Sequence, residues 1–207
     1  NLADITLREI DTLKTVDLIA AEETRHTNIL LEKCGIKTRM TSYFEYNKIQ
    51  KGDYLLKLLN EGKSVALVSD AGTPGISDPG YNIIRLCIDN KIPVVPIPGP
   101  SGIIAALTIS GKPTDEFTFA GFLSPKPIKR RSQLKKLYDE NRTIILYESV
   151  HRIEKLLNDI LEVCGDTEVV VAREVTKKFE EVRREKVSVS IEHFKAHKPK
   201  GEFVVII

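Results

Sequence analysis

A long loop rich in glycine and proline is the first candidate for a ligand-binding segment. It covers residues 69–80 and carries three glycines and two prolines between Gly72 and Gly80. Glycine lets a backbone approach a ligand closely, and proline holds a loop in shape. A simple turn needs only about four residues, so the length favours a binding loop over a turn. Its polar side chains include those of Thr73, Ser77 and Asp78.

A second loop, residues 98–102, runs directly into a predicted helix. Free N–H groups at a helix start can bind an anion or another acceptor atom. Simple capping of the helix by Ser101 is an equally good interpretation. Neither loop contains GxGxxG or GxxxxGK[ST], so the signatures of Rossmann dinucleotide binding and of P-loop phosphate binding are missing.

Two charged segments are further candidates, and each has a structural alternative. Residues 21–27 open a helix with acids near its start, where the helix dipole favours them. Arg25 and His26 could face a substrate there, but the spacing alone favours a capped surface helix. Residues 126–136 carry six cations and no acid. They could follow a phosphate backbone or form a solvated helix face.

Composition excludes several classes of protein. A hydrophobic content of 42% with 29% charged residues is typical of a folded soluble domain, and a net charge of +2 is low for a general polyanion binder. Three scattered cysteines argue against a disulfide framework and for a reducing, cytoplasmic compartment. His193 and His197 could share a helix face, but nothing nearby completes a zinc site, so we expect no metal. No apolar run is long enough to cross a membrane.

Short apolar strands alternate with amphipathic helices along the chain, which predicts an α/β fold. The N-terminal half should form a mostly parallel sheet, with ligands bound beyond the carboxyl ends of its strands. We predict two domains, 1–112 and 113–207, because Gly111 to Asp115 break the pattern. The predicted strands are 16–21, 64–69, 93–97, 117–123, 143–147, 168–173 and 203–207. The predicted helices are 24–33, 50–61, 81–90, 101–110, 132–140, 151–163 and 191–196.

Ordered motifs across the chain resemble a known family. They are NLADITLR (1–8), AAEETRHT (20–27), VSDAGTPGISDPG (68–80), PGPS (98–101), GFL (121–123), YESVHR (147–152), AREVTK (172–177) and KGE (200–202). Together they resemble the bacterial ribosomal RNA small subunit methyltransferase I family, on the tetrapyrrole (corrin/porphyrin) methylase fold. Of that family's opening Pro-Thr-Pro-Ile-Gly-Asn loop only Asn1 is present, so we expect the sequence to be a piece of a longer protein.

The resemblance implies two α/β domains, the second with a mixed sheet, and S-adenosylmethionine in a cleft between them. It also implies 2′-O-methylation of a cytidine in small-subunit ribosomal RNA, as free RNA or in the assembled subunit, by a homodimer without a metal. The implied donor contacts are Gly72, Thr73, Pro74, Ile76, Ser77, Ser101, Gly102, Phe122, Leu123, Tyr147 and Gly201.

A ribose hydroxyl is a weak nucleophile, so a base or a polarising cation should lie near it. For this role the resemblance suggests Glu148, Lys177 and Lys200, while Asp70 or Glu23 could orient the hydroxyl. Substrate phosphates could be held by Arg25, Lys129, Arg130 and Arg131. Two rival hypotheses remain: a corrin or porphyrin C-methyltransferase on the same fold, and a non-catalytic RNA-binding protein that retains the fold.

Overall fold

An apolar strand, Leu18–Ala21 (β1), forms the centre of the first of two units in the computed structural model, which describes residues 1–207. The units are Asn1–Ser101 and Gly102–Ile207. All four β1 side chains are buried, as a continuous apolar run predicts for a strand covered on both faces. Its neighbours β2 (Met40–Ser42) and β3 (Val65–Val68) both run parallel to it. The predicted parallel sheet is therefore confirmed.

Helices of the first unit cover both faces of this sheet. One face of β1 packs with Leu55 and Ile83, and the other packs with Leu13 and Leu31. A capping box of Thr6 with Glu9 starts the helix Leu7–Thr15 (α1), and this sequence pattern could have revealed the unpredicted helix. The elements are a 3₁₀ turn (Leu2–Asp4), α1 (Leu7–Thr15), α2 (Thr24–Lys33), α3 (Lys48–Asn60) and α4 (Tyr81–Asp89).

The strand predicted at 93–97 is wrong. These residues form no ladder with any strand of the sheet, whose order is β2-β1-β3. Val94 and Val95 are 46% and 63% exposed, unlike the buried residues of β1. Pro93 and Pro96 have no N–H to donate to a neighbouring strand, so the apolar composition does not produce a ladder.

The second unit contains five strands: β4 (Phe117–Gly121), β5 (Thr143–Ser149), β6 (Glu168–Arg173), β7 (Glu181–Lys186) and β8 (Glu202–Ile206). They form one sheet in the order β4-β5-β8-β6-β7. Strands β4 and β5 are parallel, while β8 is antiparallel to both β5 and β6. This confirms the predicted mixed sheet.

Four helices accompany this sheet: α5 (Gly102–Thr108), α6 (Pro127–Tyr138), α7 (Ile153–Cys164) and α8 (Val187–Ala196). Apolar side chains of α6, α7 and α8, among them Leu134, Leu157 and Phe194, form one core cluster with alternate residues of the strands. The remaining strand residues form a separate cluster with α5. No helix of the protein combines the length and the apolar content that crossing a bilayer requires.

Helix α5 explains why the observed division differs from the predicted one. The sequence suggested a boundary after residue 112, whereas the two units divide between Ser101 and Gly102. Ile103 and Leu107 of α5 pack with Ile145 of the second sheet. The helix therefore belongs to the second unit by its core contacts. The glycine and proline in residues 111–115 do not reveal these contacts.

Candidate active site

Three loops meet at the carboxyl edge of the parallel sheet in the first unit. Because Ala21 pairs with both Ser42 and Val68, the three strands end level with one another. Ligands of open parallel sheets bind at this edge. The loops surround a cavity of about 360 Å³ lined by Glu22, Glu23, Thr24, Ser42, Phe44 and Asp70.

Asp70 connects the loop after β3 with the loop after β1. One carboxylate oxygen accepts a hydrogen bond from the N–H of Glu23 at 3.2 Å, and the other lies 3.3 Å from Nδ1 of His26. The N–H of Asp70 donates in turn to the Glu22 carboxylate at 3.3 Å. The Glu23 side chain caps α2 by accepting from the N–H of Arg25 at 3.0 Å. Asp70 therefore braces the start of α2 from the neighbouring loop.

Glu22 lines the cavity with a carboxyl group whose pKa is raised. Burial raises the pKa of Glu22; the N–H of Asp70 opposes this shift, and the Asp70 charge adds to it. A carboxylate with a raised pKa is a better proton acceptor. Glu22 was not among the predicted site residues, although its place directly after the central strand could have indicated it.

The loop at 69–80 folds back on itself at its two later glycines. The N–H of Ile76 donates to the carbonyl of Thr73 at 3.1 Å and closes a turn. The backbones of Gly75 and Gly80 then touch so closely that a Cβ on Gly80 would lie 2.7 Å from the nitrogen of Gly75. Glycine at position 80 is therefore required by close approach of two backbone segments.

The same loop presents its predicted donor contacts at the surface. Thr73, Ile76 and Ser77 are exposed, and Pro74 is half-buried. Gly72 has a φ of 70°, and a Cβ added to it would meet no atom within 4 Å. Ser77 adopts a φ of 61°, which is uncommon for a residue with a side chain and is often found at ligand sites. The loop thus offers both polar and apolar groups to a ligand.

The predicted donor contacts of the second unit form an aromatic cluster. The rings of Phe122 and Tyr147 lie 5.7 Å apart, and Phe119 meets Tyr147 edge-on at 5.0 Å. Phe122 is 55% exposed, whereas Leu123 is buried in the core. A Cβ on Gly102 would lie in ordinary contact with the Tyr147 hydroxyl, at 3.5 Å, so the start of α5 lies beside this ring.

Two arginines hold the loop that follows β4. Arg152 donates to the carbonyl of Leu123 at 2.6 Å and lies 3.1 Å from the buried carboxylate of Glu148. Arg130 donates to the carbonyl of Pro125 at 3.3 Å. The exposed ring of Phe122 therefore lies on a loop whose carbonyl groups accept hydrogen bonds from these two arginines.

Three of the six cations in the basic stretch 126–136 are paired within the protein, namely Arg130, Arg131 and Lys135. Arg130 is buried, and its Nε lies 2.5 Å from the Asp159 carboxylate. Arg131 lies 3.3 Å from Asp159 and 3.1 Å from Glu162. The sequence suggested Arg130 as a phosphate contact, but its buried ion pair leaves it no surface to offer a phosphate. Lys129 is exposed and keeps that suggested role.

Comparison with known proteins gives a consistent result. The model of the family "Tetrapyrrole (Corrin/Porphyrin) Methylases" matches residues 1–189. A Thermotoga maritima protein named "Ribosomal RNA small subunit methyltransferase I" is 49% identical over 207 residues, which are 100% of this chain and 93% of that protein. The chain belongs to the ribosomal RNA small subunit methyltransferase I family. An Escherichia coli O157:H7 protein of the same name is 47% identical over 210 residues, with 100% and 73% of the two chains covered.

Solved structures agree with the tetrapyrrole methylase fold of this methyltransferase. Cobalt precorrin-4 methyltransferase superposes with a TM-score of 0.75 at 18% identity, covering 100% of this chain and 90% of the other. Diphthine synthase gives a TM-score of 0.74 at 16% identity, with 100% and 85% covered. At such identities the likeness concerns the fold alone, and it confirms the fold predicted from the sequence.

Two carboxylates hold Lys177 of this methyltransferase in its charged form. Its Nζ lies 2.6 Å from the Glu202 carboxylate and 3.1 Å from that of Glu174. Burial alone lowers the pKa of Lys177, but the hydrogen bonds to these two carboxylates raise it above its ordinary value overall. A Cβ on Gly201 would lie 2.5 Å from the Glu174 side chain, so Gly201 packs against the ion pair. Lys200 is exposed.

Glu148 is held by structural partners. It is 2% exposed, and one oxygen accepts from the N–H of Ser149 at 2.8 Å while the other faces Arg152. Burial raises the pKa of Glu148, against the Ser149 N–H and the charge of Arg152, which favour the carboxylate. Its suggested role as a catalytic base stays a prediction, and its visible function is to position Arg152.

The histidine pair of α8 is arranged by stacking. The rings of His193 and His197 lie 4.7 Å apart and nearly parallel. Burial lowers the pKa of His193. The structure contains no group of three His, Cys, Asp or Glu side chains placed to hold a metal ion.

Two substitutions at Asp70 distinguish its structural role at the start of α2 from a role in methyl transfer. We expect Asp70→Ala to lower the free energy of unfolding by about 1 kcal/mol, because the Glu23 N–H loses its acceptor. Asp70→Asn keeps an acceptor oxygen and should retain that stability while lowering kcat for methyl transfer about ten-fold, through loss of the charge that orients the acceptor. Urea unfolding and single-turnover kinetics measure the two effects. The control is Asp53→Ala, which removes an exposed carboxylate. Full activity of Asp70→Asn would show that Asp70 has a structural role only.

Proposed function

We propose that this protein uses S-adenosylmethionine to methylate the 2′-hydroxyl of a cytidine in small-subunit ribosomal RNA, offered as free RNA or as the assembled subunit. The observation that carries the proposal is similarity along the whole chain to relatives named ribosomal RNA small subunit methyltransferase I. Since the 2′-hydroxyl exists only in RNA, the acceptor atom also defines the substrate class. A substrate of this kind would place the activity in the cytoplasm.

Loop 69–80 fits the donor in its chemistry. S-adenosylmethionine would supply a methyl group bound to a positively charged sulfur, together with polar and apolar portions to be held. The open backbone at Gly72, the hydroxyls of Thr73 and Ser77 and the exposed Ile76 provide matching contacts. Pro74 of this loop also stays a predicted contact, as do Ser101, Gly102, Phe122, Leu123, Tyr147 and Gly201.

The acceptor hydroxyl must lose its proton when it gains the methyl group, so a base is needed nearby. Glu22 lines the carboxyl-edge cavity, and burial raises its pKa. We therefore assign it the role of proton acceptor, with Asp70 and Glu23 orienting the hydroxyl. Glu148 is less suited because it is occupied by Arg152. Alignment of donor and acceptor should supply much of the rate enhancement.

A labelled-donor assay tests the proposal. Tritiated S-adenosylmethionine is offered to small ribosomal subunits that lack the modification, to free ribosomal RNA and to uroporphyrinogen III. We expect label in RNA, within a dinucleotide that resists alkali, because a 2′-O-methyl group removes the hydroxyl that attacks the adjacent phosphate. DNA of the same sequence serves as the matched control and should stay unlabelled.

Other outcomes of this assay would exclude the proposal. Label in the tetrapyrrole alone would identify a tetrapyrrole methyltransferase. Absence of any heat on titration with S-adenosylmethionine, in calorimetry of the folded protein, would contradict both enzymatic functions and leave a non-catalytic RNA-binding protein.

A further inference from the structure

The segment after β2 holds two exposed aromatic rings on a rigid turn. Phe44 is 36% exposed and Tyr46 is 95% exposed, and their rings meet edge-on at 6.5 Å. Large apolar side chains with this much exposure contribute little to the folded core. We call Phe44 and Tyr46 the aromatic platform.

Backbone contacts fix the turn that carries the aromatic platform. Tyr43 is buried, and its N–H donates to the carbonyl of Ala21 at 2.7 Å. The side chain of Asn47 accepts from the N–H of Phe44 at 2.8 Å, and the N–H of Asn47 donates back to the Phe44 carbonyl at 3.0 Å. The rings are therefore presented to solvent by an ordered backbone, which reduces the entropy lost when a ligand binds them.

The aromatic platform is continuous with the candidate active site. Phe44 itself lines the carboxyl-edge cavity. A second cavity of about 300 Å³ is lined by the neighbouring Thr41 and by residues of α3, including Lys51 and Tyr54. If one nucleotide of a bound RNA chain occupied the acceptor position in the first cavity, the next nucleotide would thus lie at the aromatic platform.

Lys51 supplies positive charge beside the second cavity. Its ammonium donates to the Thr41 hydroxyl at 2.8 Å and lies 5.4 Å from the centre of the Tyr54 ring. None of the protein's ion pairs within 4 Å involves Lys51, whereas Lys48 is paired with Glu45. An unpaired cation beside the exposed ring of Tyr54 matches a ligand with anionic links and flat bases. On α6, Arg130 and Arg131 are less available than Lys51, because both are paired with Asp159.

We infer that Phe44 and Tyr46 stack on bases of single-stranded RNA next to the nucleotide that is methylated, with Lys51 facing a phosphate. This inference rests on the proposed function and specifies where its substrate binds. Aromatic stacking accepts any base and is a common way for proteins to hold single strands. A target nucleotide must leave its stack to reach a cleft, and its neighbours then need a new stacking partner.

Kinetics with single-stranded RNA containing the target sequence test the aromatic platform. We expect Tyr46→Ala to raise the KM for RNA about ten-fold, within the range for loss of one stacked base, with kcat and donor affinity unchanged. Tyr46→Phe keeps the ring and should behave like the wild type. Tyr138→Ala removes a half-exposed tyrosine from α6 and is the matched control, with no change expected.

A spectroscopic measurement reports stacking directly. The protein has no tryptophan, so Tyr46→Trp introduces a single indole at the platform. We expect RNA to quench its fluorescence, whereas S-adenosylmethionine alone should not. A tryptophan at position 138, introduced as Tyr138→Trp, should show no quenching.

Two results would overturn the inference. One is an unchanged KM for Tyr46→Ala with no quenching at position 46. The other is loss of a dimer in sedimentation on Tyr46→Ala, with RNA affinity recovered at high protein concentration, which would make the platform a contact between two copies of the chain. Wild-type label in RNA decides the proposed function separately, so a failure of the inference can be distinguished from a failure of the proposed function.

Discussion

Replacing Gly80 by alanine should weaken S-adenosylmethionine binding by about ten-fold to a hundred-fold. The added Cβ would lie 2.7 Å from the nitrogen and 2.9 Å from the Cα of Gly75, and 3.2 Å from the Leu67 side chain. Backbone atoms cannot yield as the end of a side chain can, and Gly75 already has a φ of 85°. The loop must therefore open and displace Gly72 and its neighbours. The expected loss corresponds to about 1.4–2.8 kcal/mol, comparable with overpacking strain in cores.

Calorimetric titration measures this loss, and thermal unfolding shows whether the fold survives. Gly52→Ala is the matched control, since that glycine lies in α3 and its Cβ would meet only Leu86 at 3.8 Å. Alanine favours a helix interior, so this control should bind the donor normally and melt no lower than the wild type. Normal affinity of Gly80→Ala would show that the fold of the loop does not determine donor binding.

Arg130→Met should produce the largest loss of stability, about 3–5 kcal/mol in the free energy of unfolding. Removing one partner of a buried ion pair leaves the other charge buried and poorly compensated. Here Asp159, which is 5% exposed, would keep only Arg131 at 3.3 Å. The carbonyl of Pro125 would also lose its donor. Urea unfolding followed by circular dichroism measures the effect.

Arg131→Met provides the comparison within the same network. Arg131 is about one-third exposed, and Arg130 would still pair with Asp159, so a loss of about 1 kcal/mol or less is expected. Substituting both Arg130 and Asp159 by apolar residues should recover part of the stability. If both single variants lost equally little free energy of unfolding and bound RNA more weakly, Arg130 would be a phosphate contact after all.

Local patterns predicted much of the fold because the relevant energies are local. Helix α2 and strand β6 have the predicted bounds, since an amphipathic run and a β-branched run each specify their own structure. The loop at 69–80 was recognised from glycine, proline and length alone. It follows a parallel strand, and a cavity lies at the carboxyl edge of that sheet, where a ligand is expected.

Other features depend on contacts between distant residues and could not be predicted locally. Strand β7 is rich in charge, with Arg183 paired to Glu185, and forms only because it pairs with β6. Burial of Arg130 depends on Asp159, which lies on another helix. The aromatic platform was missed because β2 is only three residues long, so nothing indicated that Phe44 follows a strand.

Strand β8 has a consequence for biosynthesis. It occupies the middle of its sheet, hydrogen-bonded to β5 and β6, yet it follows both in the chain. Ribosomes deliver the chain from its amino end, so β5 and β6 emerge with a vacant place between them. Their unpaired edges stay open to wrong partners until Ile206 has been translated. We therefore expect this unit to fold after its translation rather than during it, at the slow rate typical of high contact order.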